Sequence, residues 1–461
     1  MTDDFTRITE RIWHAAGDSA GLGTLTVSGP RQVLPSVFDV TGLAVASVAA
    51  ATLAAAEFRA ARNGRPPSHV TVDSRAASAA FACEALFTPV GWTLPDIWDP
   101  IAGNYQAQDG WIRLHTNYAY HRAAAEKVLG AGGRESVRAA VRDWKADELE
   151  AAVVAAGGCA AAMHSRQDWL ASPQGAAAAP PLDVTVTAEA SPASGSTAPG
   201  DAAAPYAGIR VLDLTRVIAG PIGTRFLAGY GADVLRVDPP GFAEVPACLP
   251  ETTAGKRTTF LGLTTPAGRS AFERLVATAD VLVTGLRADA LGKLGYDEHA
   301  LRALNPSLIL VTHNAYGWAG PWRDRRGFDS LVQMSCGIAE AGAQAAGSDK
   351  PVPLPVQALD HATGYLLAAA VGRALTRRLT TARASSVRAS LIGTASFLWS
   401  LPRPQAQPPS PDPAGFPLAD ASTAWGPARR VPLPGQIHGV TPHWAIDAGP
   451  LGRHAPAWAQ G

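Results

Sequence analysis

One aspartate in this chain lies at the start of a predicted helix, a position that suits either a helix cap or a covalent nucleophile. Asp360 opens the pattern D-x-x-T-G and is followed directly by a long apolar run that predicts a buried helix. A carboxylate at the start of a helix can attack an activated acyl group, because the helix N-terminus and nearby backbone N–H groups stabilise the oxyanion that develops. Aspartate is also a favoured N-cap residue. Local sequence alone therefore favours a capping role for Asp360 over a chemical one.

Cations near the ends of predicted strands form a second candidate feature. The chain has 39 basic and 39 acidic residues, so its formal net charge at pH 7 is zero. An anionic ligand must therefore be held by a local cluster, for which Lys256, Arg257, Lys293 and Arg326 are candidates. Each one alone is most simply a solvated surface charge, but as a group at strand ends they favour an anionic ligand.

Composition and motifs argue against several other classes of protein. No basic excess or basic stripe is visible, which argues against nucleic-acid binding. The cysteines are widely spaced, with neither a CxxC pair nor a Cys/His metal pattern, so we expect buried free thiols and no metal site. They are Cys83, Cys159, Cys248 and Cys336. The absence of GxGxxG after the first C-terminal strand, and of GxSxG, argues against a nicotinamide dehydrogenase and a serine hydrolase.

The residues after position 208 predict the scaffold that must position Asp360. Short apolar runs alternate with helical patterns, which indicates βαβ units and a doubly wound parallel sheet, a Rossmann-like α/β fold. Ligands of such sheets bind at the carboxyl ends of the strands. The loops expected to form the site are residues 215–221, 238–241, 284–293 and 312–326.

Composition also predicts how the chain is divided. Residues 176–207 are dense in Ala, Pro, Ser, Thr and Gly and have too little apolar surface to fold alone, which predicts a linker. This linker separates residues 1–175 from a catalytic domain at residues 208–401. Residues 402–461 begin with a Pro-rich stretch and are expected to form a tail.

Two features bear on location. The most apolar run, from Thr41 to Phe58, is mostly alanine, so we expect a buried helix rather than a membrane span. The N-terminus lacks the basic region of a signal peptide. We therefore expect a cytoplasmic protein that contacts no membrane.

Two segments of the chain resemble each other. The run that starts at Thr41 and the run that starts at Thr363 both predict an Ala-rich helix, a short strand and a further helix. Aligning them places Phe38 opposite Asp360, with Asp39 out of step by one residue. The N-terminal copy is therefore expected to be a scaffold without a nucleophile, which leaves one active site per chain.

Several short motifs follow one another in a recognisable order between Gly208 and Leu398. Each is weak alone, but together they are specific. They are V-L-D-L-T-R-V-I-A-G-P from Val211, G-A-D-V-L-R-V-D-P-P-G from Gly231, G-K-R from Gly255, A-D-V-L-V from Ala279, L-G-Y from Leu294, N-P-S-L-I from Asn305, Y-G-W-A-G-P from Tyr316, G-F-D from Gly327 and L-D-H-A-T-G from Leu359. This part of the chain resembles the family III CoA-transferases.

The N-terminal part resembles the small C-terminal domain of the same family. The resemblance rests on G-N-Y from Gly103, D-G-W-I-R-L from Asp109, V-L-G from Val128 and P-Q-G from Pro173. The small domain would then precede the large one, whereas the family has it after. We expect a Rossmann-like domain plus a smaller α+β domain in a fused, permuted order.

The resemblance implies a nucleophilic role for Asp360, because the aspartate of this motif is the nucleophile in the family. The implied reaction moves CoA between an acyl-CoA thioester and a carboxylic acid through an aspartyl-CoA intermediate, with no permanently bound cofactor. By position, the family's contacts to CoA fall on Ile218, Leu263, Thr264, Gly285, Leu286, Arg287, Lys293, Arg326, Gly327, Phe328 and Asp329. Lys293 and Arg326 are the best candidates for binding phosphate. We expect small-molecule partners and a homodimer.

Two alternatives stay open. The family includes racemases of 2-methylacyl-CoA thioesters, which use a histidine in a G-H-D version of the motif for proton transfer. Here that position is Phe328, which cannot move a proton and so favours transfer over racemisation. The chain can also be a non-catalytic acyl-CoA binder, since the N-terminal copy persists without its nucleophile. A further departure lies at Phe242-Ala-Glu-Val, where the family often has a Gly-Asp pair.

Overall fold

The computed structural model of the chain describes residues 2–17, 22–177, 180–187, 204–405 and 415–459. Before residue 187 the elements are α1 (Thr2–Ala15), β1 (Leu25–Ser28), α2 (Val40–Asn63), β2 (Val70–Asp73), α3 (Ser74–Ala80), α4 (Cys83–Leu86), β3 (Thr88–Pro89), β4 (Gly103–Gln106), β5 (Trp111–Leu114), α5 (Ala119–Leu129), α6 (Arg134–Val141), α7 (Ala146–Ala155), β6 (Ala160–Ala162), α8 (Arg166–Ala171) and β7 (Leu182–Val186).

The remaining elements follow residue 204. They are β8 (Arg210–Leu214), α9 (Ala219–Gly229), β9 (Asp233–Asp238), a 3-10 turn (Pro246–Cys248), α10 (Leu249–Thr252), β10 (Lys256–Phe260), α11 (Pro266–Ala277), β11 (Val281–Thr284), α12 (Ala290–Lys293), α13 (Glu298–Leu304), β12 (Ile309–Asn314), α14 (Asp329–Ser335), α15 (Ile338–Ala345), α16 (Ala358–Thr381), β13 (Ser385–Ser390), α17 (Leu391–Trp399), β14 (Ala419–Ala421), β15 (Ala428–Arg430) and β16 (Gln436–Ile437).

A seven-stranded sheet forms the centre of the molecule, in the order β10-β9-β8-β11-β12-β13-β7. The strands from β8 to β13 run parallel to their neighbours, and their apolar runs suit strands covered on both faces. The predicted α/β fold with a parallel sheet is confirmed. The strand order reverses between β8 and β11, and the crevice beyond the carboxyl ends of these two strands is the expected place for a ligand.

A smaller α+β unit lies within residues 99–163. Its antiparallel sheet, β4-β5-β6, encloses a separate core with helices α5, α6 and α7. Residues 204–405, which contain most of the central sheet, are here called the large unit. The guanidinium of Arg325 in the large unit donates to Glu150 Oε1 at 2.7 Å and to the Ala160 carbonyl at 2.8 Å, both in the small unit. The small unit therefore docks on the large unit of the same chain.

The linker prediction is wrong for part of its span. Residues 182–186 form β7, which pairs antiparallel with β13 and completes one edge of the central sheet. Leu182 is buried and contributes to the main core. The strand pairs with residues about 200 positions later, a long-range contact that composition cannot reveal. Residues 178–179 and 188–203 of the predicted linker lie outside the described residues.

The predicted C-terminal tail is also more integrated than its composition indicates. β15 pairs with β3, and β16 pairs with β2, so residues 415–459 join strands of the N-terminal part. The indole of Trp444 donates to the Arg225 carbonyl at 3.1 Å, which ties the same segment to α9. The first and last parts of the chain therefore pack together, and residues 406–414 lie outside the described residues.

Helices α2 and α16 pack side by side and join the N-terminal part to the catalytic part in one core. Small residues permit this close approach: a Cβ atom added to Gly372 would lie 2.8 Å from the Cβ of Ala54. By length and composition α2 could cross a membrane, but 94% of its apolar window is buried inside the protein, as the sequence predicted for a core helix.

Candidate active site

Asp360 lies in the first turn of α16, and only 8% of its surface is exposed. It does not cap this helix, because the backbone N–H groups of Leu359 and Asp360 both donate to Asp329 Oδ2, at 2.8 and 3.1 Å. The capping role that local sequence favoured for Asp360 therefore belongs to Asp329. Asp360 instead lines two cavities.

The environment of Asp360 disfavours its charged form. Burial raises the pKa of Asp360 well above its ordinary value, and the nearby charges of Asp329 and Glu84 raise it further. Burial also raises the pKa of Asp329 to about 6, although hydrogen bonds from Gln333 and from backbone N–H groups oppose that effect. Strongly perturbed carboxyl groups in a cavity are typical of functional sites.

The first cavity, here called the basic cavity, has a volume of about 340 Å³ and lies at the carboxyl ends of β8, β11 and β12. Its cations are Arg216, Arg287, Arg325 and Arg326. It occupies the crevice where the strand order reverses, as expected for a ligand site in this fold. The backbone passes close at Gly285, where an added Cβ would lie 2.3 Å from His313 Nε2.

The second cavity, here called the apolar cavity, has a volume of about 400 Å³. Much of its wall comes from the N-terminal part of the chain, including Phe81, Leu94, Ile97 and Trp98. Asp360, Phe328 and Val217 line both cavities. These three residues therefore lie where a basic and an apolar compartment meet.

A strained turn carries Val217 to this boundary. Val217 has a φ of 62°, which is unfavourable for a β-branched residue. Its N–H donates to Glu244 Oε2 at 3.0 Å, and the same buried carboxylate accepts from Tyr118 Oη at 2.6 Å and from Arg236 at 2.9 Å. Glu244 thus joins the turn after β8 to the small unit. In the sequence, the segment around Glu244 stands out only as a departure from the family pattern.

Two histidines of the small unit surround Phe328. The ring of His115 stacks on Phe328 with centroids 3.7 Å apart, and His121 meets it edge-on at 5.8 Å. Burial lowers the pKa of His115 well below its ordinary value and that of His121 to about 4, so both rings are neutral at pH 7. Neither histidine was predicted as a site residue, because only the docking of the small unit brings them here.

A buried polar cluster lies beside the nucleophile candidate. His361 Nε2 lies 3.0 Å from Glu84 Oε2, and with Cys83 these side chains offer ligand atoms within 4.8 Å of one another. Burial raises the pKa of the Cys83 thiol well above its ordinary value, which disfavours the thiolate that a metal ion would bind. The side chain of His361 is fully buried against Glu84, away from solvent.

Most of the residues predicted to contact CoA lie around Asp360. Asp329 and Ile218 line the apolar cavity. The basic cavity is lined by Gly285, Leu286, Arg287, Arg326, Gly327 and Phe328. Leu263, Thr264 and Lys293 line neither of these two cavities.

Three predicted cations have other partners. Lys256 is buried, and its ammonium group donates to Asp213 Oδ2 at 3.0 Å and to Thr224 Oγ1 at 2.7 Å, so its prediction as an anion ligand is wrong. Arg257 forms a two-bond pair with Asp233, at 2.7 and 2.9 Å. Lys293 is exposed and pairs with Asp289 at 2.5 Å. Local charge pairing removes Lys256 and Arg257 from the candidate anion site.

Comparison with known proteins identifies the segment that carries this site. Residues 206–415 match the family model of CoA-transferase family III. A probable fatty acyl-CoA transferase of Mycobacterium tuberculosis is 32% identical over 231 residues, covering 46% of this chain and 58% of that protein. The succinate–glutarate CoA-transferase of Agrobacterium fabrum is 33% identical over 210 residues, covering 42% of this chain and 52% of that protein.

The similarity does not extend over whole proteins. This chain spans 58% and 52% of the length of those two relatives. A crystal structure of the M. tuberculosis protein Rv3272 is 34% identical, with a TM-score of 0.40 and coverage of 43% of this chain and 57% of that one.

Proposed function

We propose that this chain transfers CoA between an acyl-CoA thioester and a carboxylic acid, with Asp360 as covalent nucleophile, because residues 206–415 match the model of CoA-transferase family III. One observation carries the proposal. Asp360 lines both the basic cavity and the apolar cavity, so one thioester can place its anionic part in one and its acyl part in the other.

The proposed reaction has two balanced halves. The carboxylate of Asp360 attacks the thioester carbon of the donor, the C–S bond breaks, and a mixed anhydride and CoA thiolate form. The thiolate attacks the Asp360 acyl carbon, which releases the donor acid and leaves an aspartyl-CoA thioester. The acceptor carboxylate then repeats these two steps in reverse order, so Asp360 returns as a carboxylate with no net change of protons.

Charge supports placing CoA in the basic cavity. Arg287 is exposed at the mouth of this cavity after β11 and can bind phosphate. Arg326 donates to the Gly157 carbonyl at 3.0 Å and can also face a ligand from the same wall. We propose that Leu263, Thr264 and Lys293 contact CoA only where the long cofactor extends beyond this cavity.

The first turn of α9 supports stabilisation of the intermediates. Ala219 begins this helix and lines the basic cavity, so the positive end of the helix dipole lies at the wall of that cavity. Helices α9 and α16 approach closely here, since a Cβ on Gly223 would lie 2.6 Å from the Gly364 carbonyl oxygen. A developing oxyanion on the thioester or on Asp360 would be stabilised by this arrangement.

We also propose that one chain holds a complete site, with the permuted small unit docked in cis, because Tyr118, His121 and Asp360 line one cavity. A cytoplasmic homodimer is the proposed setting. Sedimentation at several protein concentrations tests the oligomeric state.

Trapping the covalent intermediate tests the reaction. The protein is incubated with a panel of acyl-CoA thioesters, treated with hydroxylamine or borohydride, digested and analysed by mass spectrometry. Modification of Asp360 is the expected result. Transfer activity accompanied by modification at another residue, or by none, would overturn the assignment of Asp360.

Epimerisation of 2-methylacyl-CoA is the second candidate, and one observation favours it. Although Phe328 replaces the histidine used by racemases, His115 lines the apolar cavity together with Asp360 and is a neutral potential base. Incubation of a 2-methylacyl-CoA in deuterated water distinguishes the reactions. Deuterium at the α-carbon without a covalent adduct would favour epimerisation, and binding with neither outcome would indicate a non-catalytic acyl-CoA binder.

A further inference from the structure

The apolar cavity has a charge pattern opposite to that of the basic cavity. Its ionised or ionisable acids are Glu84, Asp96, Asp329 and Asp360, whereas no lysine or arginine of the described chain lines it. The basic cavity, on the other side of Asp360, has four arginines in its lining. A ligand group in the apolar cavity therefore meets apolar walls and negative charge.

The histidines in or beside the apolar cavity do not supply the missing positive charge. His115 lines the cavity, but burial and the charge of Arg113 keep its ring neutral. His361 is directed at Glu84, with 3.0 Å between Nε2 and Oε2, and is not part of the cavity wall. A second carboxylate on a bound acyl group would thus lack a cationic partner in this wall.

One arginine lies behind the wall. The guanidinium of Arg113 packs over the ring of Trp98, 4.8 Å from its centroid, and donates to Asn104 Oδ1 at 3.0 Å. Trp98 lines the cavity whereas Arg113 does not, and the charge on Arg113 interacts with Asp329 of the same wall. Burying an unpaired carboxylate against such a wall is unfavourable, so the carboxylate must either take up a proton or stay outside the cavity.

We propose that the apolar cavity selects acyl groups of apolar monocarboxylic acids, aliphatic or aromatic, and rejects dicarboxylic acids. This inference rests on the proposed transfer reaction at Asp360 and names the substrate class of that site. The selecting elements are the loop residues Leu94, Ile97 and Trp98, which belong to the N-terminal part of the chain. The volume of about 400 Å³ is within the usual range for a small-molecule pocket.

Isotope exchange between an acid and its own CoA ester tests the selection without knowledge of the natural partner substrate. Labelled hexanoate with hexanoyl-CoA is compared with labelled adipate and adipoyl-CoA, which have the same chain length and differ by one carboxylate. We expect kcat/KM for exchange to be at least ~100-fold higher for hexanoate, as for a buried charge without a partner. Equal rates, or faster exchange of adipate, would overturn the inference.

A pair of variants adds a cation to the wall. Leu94 is half-buried in the loop, so Leu94→Arg can present a guanidinium to the cavity, and Leu94→Gln is the matched uncharged control. We expect Leu94→Arg to reduce the preference for hexanoate by at least ~10-fold, and Leu94→Gln, which adds polarity without charge, to reduce it clearly less than Leu94→Arg does. Identical preferences in the two variants, with both folded, would argue against selection by charge.

Binding separates failure of this inference from failure of the transfer proposal. Calorimetry of hexanoyl-CoA and adipoyl-CoA with Asp360→Asn measures the selection without chemistry. Tighter binding of hexanoyl-CoA with no exchange in the wild type would retain the selection and overturn the transfer reaction. Exchange of both acids with a trapped adduct at Asp360, together with equal binding, would retain the reaction and overturn the selection.

Discussion

Helices α2 and α16 are each 24 residues long, pack against one another and begin near a buried aspartate, yet the two aspartates have different surroundings. Asp39 caps α2: it accepts from the Gly42 N–H at 2.8 Å and forms a two-bond pair with Arg31. Asp360 lies inside the first turn of α16, where the charges acting on it, from Asp329 and Glu84, are both negative. One carboxylate is paired with a cation, and the other belongs to a residue that lines two cavities.

The two helices satisfy their N-termini in different ways. In α16 the capping bonds come from Asp329 of α14, so Asp360 is not needed to satisfy the helix N-terminus. In α2 the aspartate itself supplies the cap and has a cation beside it. A buried carboxylate without such partners has a raised pKa and remains able to react. Keeping it unpaired lowers the stability of the fold, as is common at functional sites.

The largest expected difference between the two sites is in activity. Asp360→Asn removes the proposed nucleophile, and we expect CoA transfer to fall by on the order of 10³-fold or more, as for loss of a covalent catalytic group. Asp39→Asn is the matched control and should leave kcat/KM within ~3-fold of wild type. Exchange of acyl-CoA with free acid is measured for both variants. Retained activity in Asp360→Asn would overturn the proposed role of Asp360 as nucleophile.

The two variants should also differ in stability, and here Asp39→Asn should show the larger loss. Asp39→Asn breaks a buried ion pair, so we expect the free energy of unfolding to fall by about 2 kcal/mol. Asp360→Asn removes a carboxyl group whose charged form is disfavoured, and we expect unchanged or increased stability. Urea unfolding followed by circular dichroism measures both. A larger loss for Asp360→Asn than for Asp39→Asn would indicate that Asp360 has mainly a structural role.

The stability and activity that depend on Asp360 should change with pH. Because the folded pKa of Asp360 is raised, its protonated form contributes stability that is fully present below the unfolded pKa and is lost as pH rises through the folded pKa. The attacking species is the carboxylate, so kcat/KM should increase with pH over the same interval. In Asp360→Asn the stability should depend less on pH there. A rate that falls as pH rises toward neutrality would contradict a carboxylate nucleophile.

A smaller effect separates cations inside the basic cavity from those outside it. Arg287→Ala removes an exposed lining cation, and we expect the KM for acyl-CoA to rise by about 10-fold with kcat little changed. Lys293→Ala removes a cation that lies outside this cavity and pairs with Asp289, so KM should rise less than ~3-fold. Steady-state kinetics of both variants test this order, and a larger effect of Lys293 would relocate the phosphate contact.

The central sheet was largely predictable because its strands are local apolar runs separated by helical patterns. The runs at Ile209, Ala232, Asp280 and Ser307 correspond to β8, β9, β11 and β12, and the loops after β8 and β11 line the basic cavity. The edge strand β7 was missed because its partner β13 lies about 200 residues away. Alternating residues in an Ala- and Pro-rich segment form a strand only when a neighbouring strand supplies hydrogen bonds.

Residue type and motif order by themselves determined the parallel sheet, the position of its loops and the choice of Asp360 as a candidate. Only the tertiary structure decided which cations can reach a ligand. Lys256 is bound to Asp213, whereas Arg287 lines the basic cavity. It also decided that Trp98 and His115 from the N-terminal part lie beside Asp360. The physical reason is that backbone preference and hydrophobic pattern are local properties, whereas ion pairing, burial and cavity shape depend on segments that are distant in the chain.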